Sequence, residues 1–162
     1  MLSSALNRRL LTPKLHSLPY IERLRFLYIL GIPEAPMPLK CILLVDDNSI
    51  IRFAVRRMFE ANGYRICGEA ENGKEAIEKA EQLHPDLIVL DLSMPVMNGL
   101  EAAHILSKMM PTVPLILYSN YAGILRQEDA RSAGISAVVS KDKAASLLVS
   151  TAQSLLHRPE AA

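Results

Sequence analysis

Five polar residues of this sequence follow or close short apolar runs. The residues are Asp46 and Asp47 after the run 41–45, Asp91 after 87–90, Ser119 after 115–118 and Lys141 after 137–139. Continuous apolar runs of this length predict parallel strands that are buried on both faces. Because the site of such a sheet lies outside the carboxyl ends of its strands, we expect the five side chains to lie close together.

Three carboxylates at one sheet edge would repel one another, and one of them would be driven towards protonation. A hard divalent cation offsets this repulsion, and a few protein oxygens with room for water are typical of Mg²⁺ rather than of a closed calcium site. Carboxylates with Mg²⁺ suit a phosphoryl group, because the metal neutralises charge on the transferring oxygens. A lysine and a hydroxyl nearby add a mobile cation and a hydrogen-bond donor, and a carboxylate nucleophile can form an aspartyl-phosphate.

Helical patterns separate the apolar runs. Apolar residues recur at helical spacing in 50–59, 76–83, 102–109 and 147–155, and more weakly in 121–133. The alternating segment Tyr64–Ala70 is typical of an edge strand. Five strands alternating with five helices over roughly 120 residues predict an α/β fold with a doubly wound parallel sheet and right-handed crossovers.

Length and charge narrow the class of protein. The 162 residues are enough for one domain with an extension, and a net charge of +1 makes whole-chain attraction to nucleic acid or anionic membrane a poor explanation. No apolar stretch approaches the ~18 residues of a membrane span. We therefore expect neither a membrane segment nor direct nucleic-acid binding. Two cysteines in a chain of this size do not make a disulfide framework, so we expect a reducing, cytoplasmic setting.

The N-terminal segment differs from the rest of the chain in charge. Residues 1–36 carry five basic and two acidic residues. We assign 1–38 to an extension and linker, 39–158 to the domain and 159–162 to a tail. A short amphipathic helix is plausible from Pro19 to Leu30, before a proline-rich linker. Two interpretations stay open: an extension that is translated, and an upstream misreading with translation starting at Met37.

The polar residues resemble those of a known family. Asp46-Asp47, the segment Asp91-Leu-Ser-Met-Pro95-x-x-Asn98-Gly99, Ser119 and Lys141 look like the receiver domain of bacterial two-component response regulators. The resemblance covers about Lys40 to Leu156, and it rests on five positions in the right order. It implies a flavodoxin-like (βα)5 sheet with strand order 2-1-3-4-5, as in a single-domain, chemotaxis-regulator-like receiver.

The resemblance also implies a role for each residue. Asp91 matches the phosphoacceptor, which takes its phosphoryl group from the phosphohistidine of a sensor histidine kinase or a histidine phosphotransfer protein. Asp46, Asp47, Asp91 and the backbone carbonyl of Ser93 would bind Mg²⁺. Ser119 matches the switch hydroxyl, and Lys141 matches the lysine that pairs with the phosphoryl group.

Two positions depart from the family. An aromatic residue often stands three positions before the lysine, where this chain has Val138, so either Tyr121 contributes to switching or the readout is altered. Asp142 follows Lys141 where proline is common, and the Lys-Asp ending is similar to nitrate/LuxR-type receivers.

Such regulators usually carry a DNA-binding helix-turn-helix, but this sequence ends at Ala162. We therefore expect signalling through an unknown downstream protein at the fourth helix, fifth strand and fifth helix, and a phosphorylation-dependent homodimer is a further expectation.

Two other classes of protein compete with a phosphoacceptor. A receiver that no longer takes phosphate, acting as an interaction module, fits the missing aromatic residue. A haloacid-dehalogenase-type phosphatase would need Asp-x-Asp after the first strand, whereas this chain has Asp46-Asp47-Asn48. We therefore expect a signalling phosphoacceptor that catalyses only its own phosphorylation and dephosphorylation. Cys41 and Cys67, in neighbouring strands, are expected to be buried inert thiols.

Overall fold

The computed structural model describes residues 39–157 and, nearer the N-terminus, Glu22, Arg25, Tyr28 and Ile29. The chain divides into two units, residues 1–38 and 39–162. In the first unit the four described residues, which lie within the segment Pro19 to Leu30 where a helix was predicted, are helical and exposed. The remainder of that helix, the proline-rich linker, Met37 and the tail 159–162 lie outside the described residues.

Strands and helices alternate strictly between residues 39 and 157. The strands are β1 (Cys41–Val45), β2 (Arg65–Ala70), β3 (Leu87–Leu90), β4 (Leu115–Ser119) and β5 (Ala137–Ser140). The helices are α1 (Ser49–Ala61), α2 (Gly73–Leu83), α3 (Gly99–Met109), α4 (Gln127–Ser132) and α5 (Ala145–Leu156). All strand pairs are parallel, in the order β2-β1-β3-β4-β5. The predicted flavodoxin-like sheet is thus confirmed, with β2 at an edge.

Both faces of the sheet are covered, which explains why the central strands β1 and β3 are apolar and buried at every position. Alternate residues of β1, such as Ile42 and Leu44, pack with Phe59 of α1 and Leu148 of α5. Their neighbours, such as Leu43, pack on the other face in the cluster that contains residues of α2, α3 and α4. Because successive strand side chains point to opposite faces, a two-sided core requires a continuous apolar run.

Asparagine side chains begin three of the helices. The Asn48 side chain accepts hydrogen bonds from the backbone N–H groups of Ile50 and Ile51, and Asn98 forms a reciprocal capping box with Glu101. Asn72 caps α2 in a similar way. Such caps satisfy backbone donors that have no partner within the helix. The caps of α1 and α3 determine where these helices begin, and so where the loops that carry Asp47 and Asp91 end.

The helix α4 is shorter than the apolar pattern suggested. Residues 120–124 form turns, and regular helix begins only at Gln127. Ile124 in this segment is 79% exposed, so the segment buries little apolar surface that would support a helix. The first turn of α4 also lacks a side-chain cap. No helix in the described part of the chain is long and apolar enough to cross a membrane.

Cys41 and Cys67 form a disulfide, so the expectation of two separate thiols was wrong. Their Cα atoms are 5.5 Å apart, within the range that the bond requires. The cause lies in the register of β1 and β2. Ile42 pairs with Ile66 while Leu43 pairs with Gly68, which leaves Cys67 as the extra residue of an irregularity beside Cys41.

Candidate functional site at the carboxyl edge of the sheet

Three aspartates meet at the carboxyl edge of the sheet. Asp46 and Asp47 follow β1, and Asp91 follows the adjacent strand β3. One carboxylate oxygen from each lies within 4.8 Å of the others. Asp46 and Asp91 are buried, at 5% and 6% exposure, whereas Asp47 is exposed. The structure therefore brings together the three carboxylates that the sequence placed at strand ends.

Lys141 links two of these carboxylates. Its Nζ lies 2.6 Å from Asp46 Oδ2 and 3.1 Å from Asp91 Oδ1. Burial disfavours the charged form of the lysine, but the hydrogen bond to Asp46 and the negative charges of Asp46 and Asp91 outweigh that effect and raise the pKa of Lys141 above its ordinary value. The ammonium group is therefore charged and offsets part of the carboxylate repulsion.

Backbone groups orient the two buried carboxylates. The N–H of Asn48 donates to Asp46 Oδ1 over 2.9 Å, and the N–H of Ser93 donates to Asp91 Oδ2 over 3.2 Å. Ser93 itself is exposed. Each carboxylate is therefore held by the loop that follows its own strand as well as by Lys141.

Gly99 lets the loop after β3 close on itself. A Cβ atom at this position would lie 2.1 Å from the Asp91 carbonyl oxygen and 2.9 Å from Leu92 Cα. The Gly99 N–H donates to the Leu92 carbonyl over 2.9 Å. The start of α3 thus packs directly on the backbone of Asp91, and no larger residue fits there without a backbone shift.

Ser119 closes β4, the neighbour of β3, and is 1% exposed. Its hydroxyl oxygen accepts a hydrogen bond from the Tyr121 N–H over 3.3 Å. The Tyr121 side chain is 52% exposed. The serine hydroxyl therefore lies at the same edge of the sheet, with Tyr121 directly beyond it in the chain.

Sequence reasoning missed two residues around the site. Tyr118 is half-buried, with its ring centroid 5.8 Å from Lys141 Nζ, so an aromatic group does lie beside the lysine although Val138 is not aromatic. Burial raises the pKa of the Tyr118 hydroxyl. The second is Arg52, which is buried and donates to the Asp46 carbonyl. Arg52 shares a helix face with Val55 and Phe59, and a charged residue on an apolar face was a signal in the sequence.

The donor set fits a hard divalent cation. Two buried carboxylates and one exposed carboxylate provide oxygen ligands only, and the exposed Asp47 leaves room for water. This is the ligand chemistry that Mg²⁺ prefers. The ammonium group of Lys141 already forms an ion pair with one carboxylate oxygen of Asp46 and one of Asp91. A metal ion bound here would therefore share these two carboxylates with the ammonium group.

A doubly wound parallel sheet with clustered aspartates and a lysine at its carboxyl edge defines a receiver-type signalling domain. The family model of the response regulator receiver domain matches residues 42–153. The chain therefore belongs to the response regulator receiver family of two-component signalling. Both the family and the fold implied by the sequence resemblance are confirmed.

Individual relatives agree with this assignment. The chemotaxis protein CheY of Thermotoga maritima is 39% identical over 80 residues, which are 49% of this chain and 67% of that protein. A protein-glutamate methylesterase/protein-glutamine glutaminase of Methanosarcina acetivorans is 46% identical over 78 residues, 48% of this chain. The match spans only 22% of that methylesterase.

Solved structures show the same fold. A LuxR-family two-component response regulator from Aurantimonas superposes with a TM-score of 0.68 and 28% identity, covering 73% of this chain and 85% of that one. The response regulator domain of CheB from Thermotoga maritima gives a TM-score of 0.65 and 26% identity, covering 75% and 99%. The chain thus resembles the receiver portion of such regulators.

Proposed function

We propose that this chain is a phosphoacceptor that takes a phosphoryl group onto Asp91 from the phosphohistidine of a sensor histidine kinase or a histidine phosphotransfer protein. The observation that carries the proposal is the cluster of Asp46, Asp47 and Asp91, with oxygens within 4.8 Å, next to the ammonium group of Lys141. Family membership supports it, because the family is one of signalling phosphoacceptors.

In the proposed transfer, a carboxylate oxygen of Asp91 attacks phosphorus. The P–O bond forms as the P–N bond of phosphohistidine breaks, and the released imidazole keeps the electron pair and takes up a proton. Lys141 is 3.1 Å from Asp91 Oδ1, so its ammonium group can follow the new phosphoryl oxygens. The hydroxyl of Ser119 supplies a hydrogen-bond donor as the switch group.

The residues that would hold Mg²⁺ are Asp46, Asp47, Asp91 and the backbone carbonyl of Ser93. When bound, the metal neutralises charge on the transferring phosphoryl oxygens. Asp46 and Asp91 are already oriented by backbone N–H groups. The site is therefore preorganised for charge stabilisation rather than assembled around each phosphodonor.

The output we propose is protein–protein contact through α4, β5 and α5, and the compartment we propose is the cytoplasm. Two exposed apolar side chains, Val138 of β5 and Leu147 of α5, belong to this surface. A homodimer formed on phosphorylation would use the same kind of contact. In this proposal the chain contacts neither nucleic acid nor membrane directly.

The test is labelling with acetyl phosphate and with purified histidine kinases, with and without Mg²⁺. The wild-type chain should become labelled only with Mg²⁺, and Asp91→Asn should not be labelled. Asp86→Asn is the matched control, because Asp86 lies at the opposite end of the same strand and pairs with Lys40. Labelling of the control together with loss in Asp91→Asn supports the proposal.

Three results would contradict it. If no donor labels the wild-type chain and beryllofluoride does not bind in the presence of Mg²⁺, the chain is a phosphate-independent interaction module. If the chain hydrolyses a generic phosphomonoester with turnover, it is a phosphatase rather than a signalling phosphoacceptor. Persistent labelling of Asp91→Asn would place the acceptor elsewhere.

A further inference from the structure

The guanidinium group of Arg52 joins the loop after β1 to β2 and to the loop after β2. Its Nη1 donates to the backbone carbonyl of Asp46 over 2.6 Å. Its Nε donates to Glu69 over 3.0 Å, and its Nη2 donates to Glu71 over 2.8 Å. The residue is 8% exposed. One buried side chain therefore connects α1 to three separate acceptors.

The contact with Asp46 determines the orientation of one peptide unit. The carbonyl of Asp46 belongs to the peptide bond that leads into Asp47, so the hydrogen bond from Arg52 fixes the plane of that peptide. The Asp46 side chain has its own partners, Lys141 and the Asn48 N–H. Asp47 is exposed, so the direction of its carboxylate depends on how its backbone is held.

The two glutamates make Arg52 a suitable donor for this task. A buried guanidinium is costly unless its charge is compensated, and here Glu69 and Glu71 compensate it. Burial alone would lower the pKa of Arg52, but the hydrogen bonds and charges of these glutamates raise it. The planar guanidinium can serve the carbonyl and both carboxylates at once, which a lysine ammonium cannot do with the same geometry.

We infer that Arg52 is a positioning residue for the acidic site, acting on Mg²⁺ affinity by fixing the Asp46–Asp47 peptide. The inference rests on the proposed function, because it assumes that this site binds Mg²⁺. Groups that orient metal ligands typically change metal affinity by about 10- to 100-fold when removed. Arg52 should therefore affect how tightly the metal binds, and much less how fast the saturated site reacts.

The experiment compares the full chain with its Arg52→Gln, Arg52→Lys and Arg56→Gln variants. Mg²⁺ affinity is measured by isothermal titration calorimetry, well below each variant's thermal midpoint. Arg56 is the matched control, because it also pairs with Glu69, at 2.6 Å, yet its other partner among the described residues is Glu60 and not Asp46. Labelling rates with acetyl phosphate are then recorded at low and at saturating Mg²⁺.

We expect Arg52→Gln to weaken Mg²⁺ binding by about 10-fold or more, with Arg52→Lys in between and Arg56→Gln within about 2-fold of wild type. Saturating Mg²⁺ should return the labelling rate of Arg52→Gln close to that of wild type. If Arg52→Gln does not fold, the comparison of Arg52→Lys with Arg56→Gln decides.

A purely structural role for Arg52 would lower the thermal midpoint and leave Mg²⁺ affinity unchanged. Wild-type Mg²⁺ affinity in the folded Arg52 variants, or an equal loss in Arg56→Gln, would overturn this inference alone. Absence of Mg²⁺ binding by the wild-type chain would instead overturn the proposed function, and this inference with it.

Discussion

The ammonium group of Lys141 lies 2.6 Å from Asp46, a residue 95 positions earlier in the chain. Both side chains are about nine-tenths buried, at 10% and 8% exposure. A buried ion pair gains little over an apolar pair of the same shape, but removing one partner leaves an uncompensated charge. The pair therefore ties the end of β5 to the end of β1 and keeps a cation inside the acidic site.

Replacing Lys141 by methionine should lower the stability of the fold and increase the stabilisation that Mg²⁺ provides. Without metal, the free energy of unfolding should fall by about 3–5 kcal/mol, because Asp46 and Asp91 lose their cation. Mg²⁺ should then stabilise the variant more than it stabilises wild type, since it no longer shares the carboxylates with an ammonium group. Urea unfolding with and without Mg²⁺ measures both effects. Lys143→Met, at an exposed neighbouring lysine, is the control, and an equal Mg²⁺ effect in all three proteins would contradict the prediction.

Tyr121 should lengthen the lifetime of the phosphorylated state. It follows Ser119 by two residues and its N–H donates to the serine hydroxyl, so its bulky side chain should hinder a water molecule that approaches Asp91. Tyr121→Ala should shorten the half-life of the phosphorylated protein severalfold, as followed by loss of radiolabel. Ile124→Ala, in the same exposed segment, should leave it unchanged. An unaltered half-life in Tyr121→Ala would refute the shielding role.

Gly99→Ala should disturb Asp91, the proposed phosphoacceptor. The added Cβ would lie 2.1 Å from the Asp91 carbonyl oxygen, and backbone atoms cannot move aside as a flexible side chain can. We expect a loss of about 1–3 kcal/mol in unfolding free energy, with slower labelling of Asp91. Gly123→Ala is the control, because a Cβ there meets nothing within 4 Å. Equal behaviour of the two variants in urea unfolding would show that the contact is unimportant.

The ion-pair network of Glu69 should make stability depend on pH in the acid range. Burial disfavours the Glu69 carboxylate, but hydrogen bonds from Arg56 and Arg52 outweigh burial and hold its pKa below the ordinary value of 4.5. The unfolded chain then binds this proton first as pH falls. The stabilisation is therefore complete above about pH 5 and is lost as pH falls through 4.5 to the lower folded-state pKa.

Glu69→Gln should flatten this part of the stability curve, because the variant has no proton to take up at that position. Chemical unfolding at a series of pH values between about 3 and 6 measures the slope. Glu81→Gln, on the exposed surface of α2, should retain the wild-type slope. A wild-type slope in Glu69→Gln would show that other groups control acid unfolding.

Reduction of the Cys41–Cys67 disulfide should destabilise the fold. The bond spans a sequence separation of 26 residues, and a loop of that size corresponds to about 3.5 kcal/mol of lost unfolded-state entropy at 25 °C. Reductant should lower the thermal midpoint of wild type, and the Cys41→Ala/Cys67→Ala double variant should be insensitive to it. A midpoint that reductant leaves unchanged, with two free thiols found by mass spectrometry beforehand, would mean that the bond does not form in solution.

The sequence alone determined the sheet and the residues of its acidic edge. Apolar runs that end at Asp46, Asp91 and Ser119 predicted parallel strands, and the chain direction of parallel strands puts their polar ends at one edge. These inferences depend on local periodicity and on a general rule of sheet topology, and neither requires atomic coordinates. The family resemblance added the strand order, which the structure confirms.

Tertiary structure decided the contacts that depend on register and on side-chain direction. The irregularity between Ile42 and Leu43 places Cys67 against Cys41, and no pattern of apolar residues specifies such a shift. The partners of Arg52, which itself lies on α1, are Glu69 of β2 and two residues in the loops after β1 and β2, Asp46 and Glu71. Lys141 reaches Asp46 as well as Asp91 because β1 and β3 are neighbours in the sheet. Periodicity gives the face of an element, whereas ion pairs require the distance between atoms on different elements.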